Sequence, residues 1–234
     1  MALKMVRVSP SILAVDWQNE ITLNAVIDQL EHSSASFIHL DVMDGKFVQN
    51  KTFDEKMVEY IRNRSTLMMD VHLMVENPEK VIDNYLKAGA DILTVHYEAC
   101  KDIEPVLKRI RSKNVLAGVA ISPKTPAYKL KDLLKTGLVD VVLVMGVEPG
   151  ASAQTFIPGM AEKVAEIREM DKNVIISIDG GVNLKNAKLL RTVGANILVS
   201  GSTVFKSKNI RKTIQALRGS WGSKFAKLFK KDED

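Results

Sequence analysis

Short runs of β-branched and other strand-forming residues recur along the chain, and the stretches between them carry apolar residues at helical spacing. Eight runs read as strands: VRVSPSIL from Val6, FIHLDVM from Phe37, LMMDVHLM from Leu67, ILTVHYE from Ile92, LAGVAIS from Leu116, VDVVLVMG from Val139, VIISIDGG from Val174 and NILVSGS from Asn196. Between them EITLNAVIDQLEH, EKVIDNYLKAGA, AYKLKDLLKTG and MAEKVAEIREM read as amphipathic helices. Gly89, Gly137 and Gly194 stand where helix C-caps belong, and Asn77 and Asn183 where N-caps do. Strands this apolar are covered on both faces, which is the pattern of a parallel sheet. Eight strand-helix units in one chain predict a closed (β/α)8 TIM barrel over residues 1 to 218, rather than an open sheet opened by a Gly-rich dinucleotide turn, which is absent.

Composition agrees with one globular domain: 234 residues, 46% hydrophobic and 26% charged. The single Cys100 excludes an internal disulfide. The first residues carry no signal-peptide pattern and no apolar stretch reaches the length of a membrane span, so a cytoplasmic protein without a membrane span is expected. The net charge of +5 comes from 33 basic residues spread among 28 acidic ones, with no base-reading motif. That excludes nucleic acid as the expected partner and suits an anionic small molecule.

The polar residues that interrupt the apolar runs fall at strand ends, where barrel chemistry sits. Ser9 and Ser11 lie on the first strand, His39 and Asp41 on the second, Asp70 and His72 on the third, Asp179 closes the seventh, and Gly201 and Ser202 follow the eighth. Alternation puts His39, Asp41 and Met43 on one face of the second strand, and His72 and Met74 on one face of the third with Asp70 below them. Two histidines and two carboxylates at one barrel mouth suit an open site for a divalent ion, Zn, Fe, Mn or Co. The second and seventh strands lie nearly across the ring, so Asp41 and Asp179 face a bound substrate from two sides. That geometry serves removal of a proton from one face of a carbon and its return on the other. The Gly180–Gly181 and Gly201–Ser202 turns sit where barrels bind phosphate. His96 and Glu98 are read as support at the end of the fourth strand.

From about residue 6 to 218 the segments SPSILAVDW, FIHLDVMDGKFV, DVHLMVENP, AGADILTVHYEA, VMGVEPG with QTFIP, IDGGVN and GANILVSGSTVF follow one another in the order and spacing of ribulose-phosphate 3-epimerase. The chain resembles that family. The resemblance implies a ribulose-phosphate binding barrel that interconverts D-ribulose 5-phosphate and D-xylulose 5-phosphate through an enediolate. It implies a metal held by His39, Asp41, His72 and Asp179, with Asp41 and Asp179 as the acid/base pair. Met43, Met74 and Met145 would wall the pocket, and Ser11 and His72 would touch the sugar. Gly180, Gly181, Gly201 and Ser202 would hold phosphate with Gly150, Ala151, Ser152 and Ala153 of the loop after the sixth strand. A homo-oligomer is expected.

Two other functions fit the same residues: a sister epimerase acting on allulose 6-phosphate, and a degenerate or engineered barrel serving as a scaffold. A decarboxylase of similar fold does not, since His72 stands where an Asp-x-Lys strand would carry lysine. Residues 219–234, GSWGSKFAKLFKKDED, read as an amphipathic basic tail, either an added helix docking on protein or an appended segment.

The chain departs from the family in that loop, where VEPGASAQ replaces VxPGFGGQ, and at Gln49, where proline is usual. Lost glycines hinder backbone approach to phosphate, and Ala151 lacks the aromatic cover of the family. Restoring the loop with Ala151→Phe, Ser152→Gly and Ala153→Gly together is therefore expected to raise kcat/KM on ribulose 5-phosphate. A triple variant with unchanged kinetics refutes a cost of the altered loop.

Overall fold

The computed structural model describes residues 6–151 and 154–219. Strands and helices alternate: β1 Arg7–Ser9, α1 Glu20–Glu31, β2 Phe37–Met43, α2 Glu55–Arg62, β3 Met68–Met74, α3 Ile82–Lys87, β4 Ile92–His96, α4 Glu104–Arg111, β5 Leu116–Ile121, α5 Lys131–Lys135, β6 Val141–Met145, α6 Met160–Met170, β7 Ile175–Asp179, α7 Ala187–Thr192, β8 Ile197–Val199, α8 Ser202–Phe205 and α9 Ile210–Arg218. All eight strands run parallel in the order β1-β8-β7-β6-β5-β4-β3-β2. The ring closes beyond the end of β1, where the His39 N–H donates to the Pro10 carbonyl (2.9 Å) and Ser11 bridges His39. The result is a (β/α)8 barrel, and no helix among the described residues is long and apolar enough to cross a membrane.

Alternation divides each strand between two environments. Outward residues such as Leu40, Val71, Leu93, Val119 and Val142 are buried against the helices in one continuous core. Inward residues fill the barrel, and at its lower end Phe37, Ile92, Val141 and Ile197 form an apolar plug. Above that plug the inward positions turn polar: Ser9, His39, Asp41, Asp70, His72, Thr94, His96 and Ser177 are all buried. Gly118 on β5 is required there, because a Cβ would collide with the Thr94 hydroxyl. The strands therefore hold a dry base and a polar mouth.

Some local expectations shift. β1 stops at Ser9 instead of running to Leu13, because Pro10 has no N–H to give the ladder and Ile12–Ala14 turn into a 3-10 helix. Asn77 does not cap a helix; it takes a left-handed conformation (φ 56°) and its side chain makes no cap bond. Asn183 does accept the N–H groups of Lys185 (2.9 Å) and Asn186 (3.3 Å), capping the turn before α7. Gly89, Gly137 and Gly194 all have positive φ, the conformation a C-terminal helix stop requires. Residues 220–234, which include nearly all of the basic tail, lie outside the described residues.

The lower face carries a repeated knot. Asp91, Asp140 and Asn196 each immediately precede an even-numbered strand, and each accepts the N–H of the second residue of the strand before it: Met69 (2.7 Å), Ala117 (2.9 Å) and Ile176 (2.9 Å). Each also binds an arginine from the end of an even-numbered helix: Arg62 (2.9 Å), Arg111 (2.6 Å) and Arg168 (2.6 Å). The backbone of the same three residues continues the ladder in both directions, as does that of Ser36 before β2. Each knot satisfies a strand N–H that would otherwise be buried without a partner. Asp140→Ala is therefore expected to lower stability by about 1–3 kcal/mol, read as a lower urea midpoint at unchanged m, with metal affinity unaffected. An unchanged midpoint refutes a stabilising role for the knot.

Candidate active site

Two short strands set the centre. β2 and β3 pair residue by residue, His39 with Asp70, Asp41 with His72 and Met43 with Met74, so two polar steps and one methionine step rise together toward the mouth. β7 adds Asp179 at its last residue, paired with Met145 of β6. One donor atom from each of His39, Asp41, His72 and Asp179 lies within 4.8 Å of all the others. His39 Nε2 stands 3.3 Å from Asp41 Oδ1 and 3.7 Å from Asp179 Oδ2, and His72 Nδ1 stands 3.3 Å and 3.9 Å from the same two atoms.

Supporting bonds aim these groups. Asp70 is not in the cluster; its Oδ2 takes the hydrogen bond from His39 Nδ1 (2.8 Å) and from the Ser9 hydroxyl (2.9 Å), which leaves His39 Nε2 facing the centre. The Ser11 hydroxyl donates to Asp41 Oδ2 at 2.6 Å. His72 Nε2 meets His96 Nε2 at 2.9 Å, and His96 Nδ1 meets Glu98 Oε2 at 3.1 Å. Asp44, one residue past β2, accepts the backbone N–H of Lys46 (2.8 Å), Phe47 (2.9 Å) and, from the next loop, Glu76 (2.8 Å). It latches two loops together and takes no part in the cluster.

The donor set fits a divalent ion on two grounds. His39 Nε2 is fully buried and, near as the carboxylates are, makes no hydrogen bond. An orphaned buried nitrogen pointed at two carboxylates is what a metal ligand looks like before its ion is counted. The electrostatics say the same. Burial opposes charge on His39, yet the Asp41 and Asp70 carboxylates outweigh it and hold its pKa well above the ordinary value. Burial opposes charge on Asp41 too, but His39 and His72 pull its pKa far below the carboxylate range. Asp179 moves the other way: burial first, then the Asp41 carboxylate, push it up to about 7. Two carboxylates in one site cannot both ionise freely without a cation between them.

Around the cluster opens a cleft that reaches from the strand ends to the loops after β6, β7 and β8. Its lower wall is Ser11, Asp41, Asp179, Met43, Met74 and Met145. Its other end is Gly150 and Ala151 after β6, Gly180 and Gly181 after β7, and Gly201 and Ser202 after β8. Gly180 (φ 104°) and Gly181 (φ 67°) need glycine for their backbone, and a Cβ at 181 would sit 2.5 Å from the Phe156 nitrogen. Ser152 and Ala153 lie outside the described residues. The Ser200 and Thr203 hydroxyls both donate to the Val182 carbonyl (3.0 and 3.1 Å), tying the β7 and β8 loops together. From the loop after β2, Asn50 Nδ2 donates to the Gly150 carbonyl at 2.6 Å. Val182 contributes a backbone carbonyl, and Thr203 and Asn50 donate from their side chains to backbone carbonyls of other loops, pairings that no motif encodes.

A parallel barrel whose mouth joins a His2Asp2 cluster to glycine-lined turns is the architecture of a metal-type, phosphosugar-handling enzyme. The comparisons make this specific: the Ribulose-phosphate 3 epimerase family matches residues 7–205. Ribulose-phosphate 3-epimerase of Bacillus subtilis is 40% identical over 221 residues, covering 92% of this chain and 100% of that protein. The chloroplastic enzyme of Arabidopsis thaliana is 37% identical over 219 residues, covering 91% and 76%. The chain belongs to the ribulose-phosphate 3-epimerase family, whose substrate is a phosphorylated sugar and whose members depend on a metal. Among solved structures, tryptophan synthase subunit alpha from Campylobacter jejuni aligns with a TM-score of 0.63 at 18% identity, covering 92% of this chain and 96% of that one. Thiamine phosphate pyrophosphorylase from Pyrococcus furiosus aligns at 0.59 and 15%, covering 93% and 96%. At such identities the likeness is one of fold.

The raised Asp179 pKa has a sign that can be read in stability. In metal-free protein the unfolded chain ionises this carboxyl near 3.8, the folded chain near 7. Its contribution favours folding below the lower value and is lost as pH rises through the upper one. After chelation, Asp179→Asn is therefore expected to melt higher than wild type at pH 8 and close to it at pH 4. Parallel melting curves across that range refute the assignment.

Proposed function

We propose that this protein is a metal-dependent 3-epimerase that interconverts D-ribulose 5-phosphate and D-xylulose 5-phosphate. The observation that carries the reading is the pair Asp41 and Asp179, one held strongly ionised and the other held protonated up to about pH 7, on one pocket beside the His2Asp2 cluster. An epimerisation next to a carbonyl needs one base and one acid at the same moment, and these two are set apart in that sense.

Asp41, steadied by the Ser11 hydroxyl, takes the proton from C3 of one epimer, and the C–H electron pair moves through C2 onto the carbonyl oxygen. Asp179, three strands round the ring by way of β1 and β8, returns a proton to C3 on the other face while the electron pair moves back. The reverse reaction exchanges the two roles. His39, Asp41, His72 and Asp179 would hold one divalent ion, Zn, Fe, Mn or Co. When bound it would supply positive charge that stabilises the enediolate. Ser11 faces the sugar, and Met43, Met74 and Met145 give it a polarisable apolar wall that excludes water. His72, which the family resemblance also assigns to the sugar, is fully buried and does not line the cleft. The backbone N–H groups around Gly180, Gly181, Gly201 and Ser202, with Gly150 and Ala151, receive the phosphate. We assign Ser152 and Ala153 to the same end from the sequence alone.

Purified protein of measured metal content is expected to convert ribulose 5-phosphate faster than the six-carbon allulose 6-phosphate. Asp41→Asn and Asp179→Asn are each expected to lower kcat by about 10²–10⁴-fold with the fold retained. A faster six-carbon rate moves the substrate to the sister class, and full activity in Asp41→Asn defeats the two-carboxylate scheme.

A further inference from the structure

Two imidazole nitrogens that touch share a single proton, and the direction in which that proton is given decides what each ring presents on its far side. His72 and His96 are in that relation. Both are fully buried, their rings are 5.0 Å apart at 27°, and their Nε2 atoms are 2.9 Å apart. The far side of His72 is Nδ1, facing Asp41 and Asp179. The far side of His96 is Nδ1, facing Glu98 Oε2 at 3.1 Å.

We propose that His96 and Glu98 are positioning residues that form a one-way hydrogen-bond relay, fixing His72 in the form whose Nδ1 lone pair is open to a metal ion. The proposal rests on the metal-centre reading above. Glu98 can only accept. Burial favours its protonation, but bonds from His96, from the Thr125 hydroxyl and from the Ser122 N–H outweigh it and bring its pKa down to about 2. A carboxylate at Oε2 requires N–H at His96 Nδ1, so His96 Nε2 is a lone pair. That lone pair requires N–H at His72 Nε2, and His72 Nδ1 is left bare. The opposite direction sets the Glu98 carboxylate against a lone pair at 3.1 Å where no ion can enter, whereas the proposed one sets the His72 Nδ1 lone pair against Asp41 Oδ1 at 3.3 Å, inside the cluster that would hold a cation.

The relay is anchored at its outer end. Glu98 Oε1 accepts the Ser122 N–H at 2.8 Å and the Thr125 hydroxyl. The same loop is pinned by Lys163 of α6, whose ammonium, nearly buried, donates to the carbonyls of Ser122 (3.0 Å), Pro123 (2.8 Å) and Thr125 (2.8 Å). Phe47 packs on His96 with ring centres 4.7 Å apart. A metal ligand on β3 is thus oriented from α6 through a loop, a carboxylate and a second histidine. His39 has its own, shorter support in Asp70 and Ser9, so each ligand histidine is held by a separate carboxylate.

Glu98→Gln is the sharp test because it keeps shape and reverses polarity. The oxygen of the new amide stays with Ser122 and Thr125, which donate, and its NH2 faces His96 Nδ1. Every donation in the relay then runs backwards, and His72 Nδ1 carries a proton into the ligand cluster. The readout is the dissociation constant for Zn²⁺, measured by competition with a chromophoric chelator. Glu98→Gln is expected to bind Zn²⁺ about 10–100-fold more weakly than wild type, with its metal-free circular dichroism unchanged. Binding within twofold of wild type overturns the relay and leaves the metal centre standing; a wild-type protein that does not bind Zn²⁺ overturns both. Should the variant not fold, nitrogen-15 spectra of the zinc-loaded wild type decide. His96 protonated on Nδ1 supports the relay, and His96 protonated on Nε2 overturns it.

Discussion

Negative charge crowded into a dry place is the constraint on which this site depends. Asp41, Asp70 and Asp179 bring three carboxyl groups to the mouth of one barrel, around two histidines that are fully buried. Such a cluster is unfavourable unless positive charge sits within it. In the protein alone the Asp41 and Asp70 carboxylates raise the His39 pKa against the effect of burial, and burial with the Asp41 carboxylate raises that of Asp179. A divalent ion held by the same four side chains would supply that positive charge between the carboxylates. Metal binding and acid/base chemistry are therefore one electrostatic problem solved by the same four side chains.

The barrel can bear that cost because stability is built at its other end. The knots of Asp91, Asp140 and Asn196 with Arg62, Arg111 and Arg168 close the lower face, and the plug of Phe37, Ile92, Val141 and Ile197 keeps it dry. None of these residues reaches the cleft. The division follows from parallel strands: every chain segment enters at the bottom, where its first N–H groups need acceptors, and leaves at the top, where its loops are free to carry chemistry. The knots recur before β4, β6 and β8, and before β2 the backbone of Ser36 carries the ladder on.

Much of the site was readable in the sequence because it rests on strand alternation. FIHLDVM and its partner MMDVHLM contain their register in their spelling, and His39, Asp41, His72 and both methionines face inward as period two demands. Asp70 shares that face, yet it lies one step lower and spends its carboxylate on His39 and Ser9, while the carboxyl that completes the cluster comes from β7. Spacing puts Asp70 below His72, but that its carboxylate turns to His39 and Ser9 emerges only when β1, β2 and β3 come together. The N-terminal knots were equally hidden. Asp91 and Arg62, or Asn196 and Arg168, meet only once the strands are in register, and nothing local marks them. Asn77 misled for a different reason: asparagine before proline satisfies a cap pattern, but it also tolerates the left-handed turn it occupies.

The departures from the family pattern fall on one end of the cleft and leave the other untouched. His39, Asp41, His72 and Asp179 stand on the strands themselves, where a shift of one residue would invert every neighbour. Ala151 and Gln49 stand on loops that meet where Asn50 donates to the Gly150 carbonyl and where Val48 would meet a Cβ at Gly150. On the proposed scheme, substitution there would change how the far end of a substrate is gripped without disturbing where its C3 meets a carboxylate. In catalytic terms, binding energy gathered at a remote anionic group is what holds the reacting carbon in place, so a poorer grip lowers turnover even with every reacting group in position. On the proposed scheme the reacting end is built on strands and the gripping end on loops, a separation that would let this chain keep the chemistry of its family while carrying a different loop after β6.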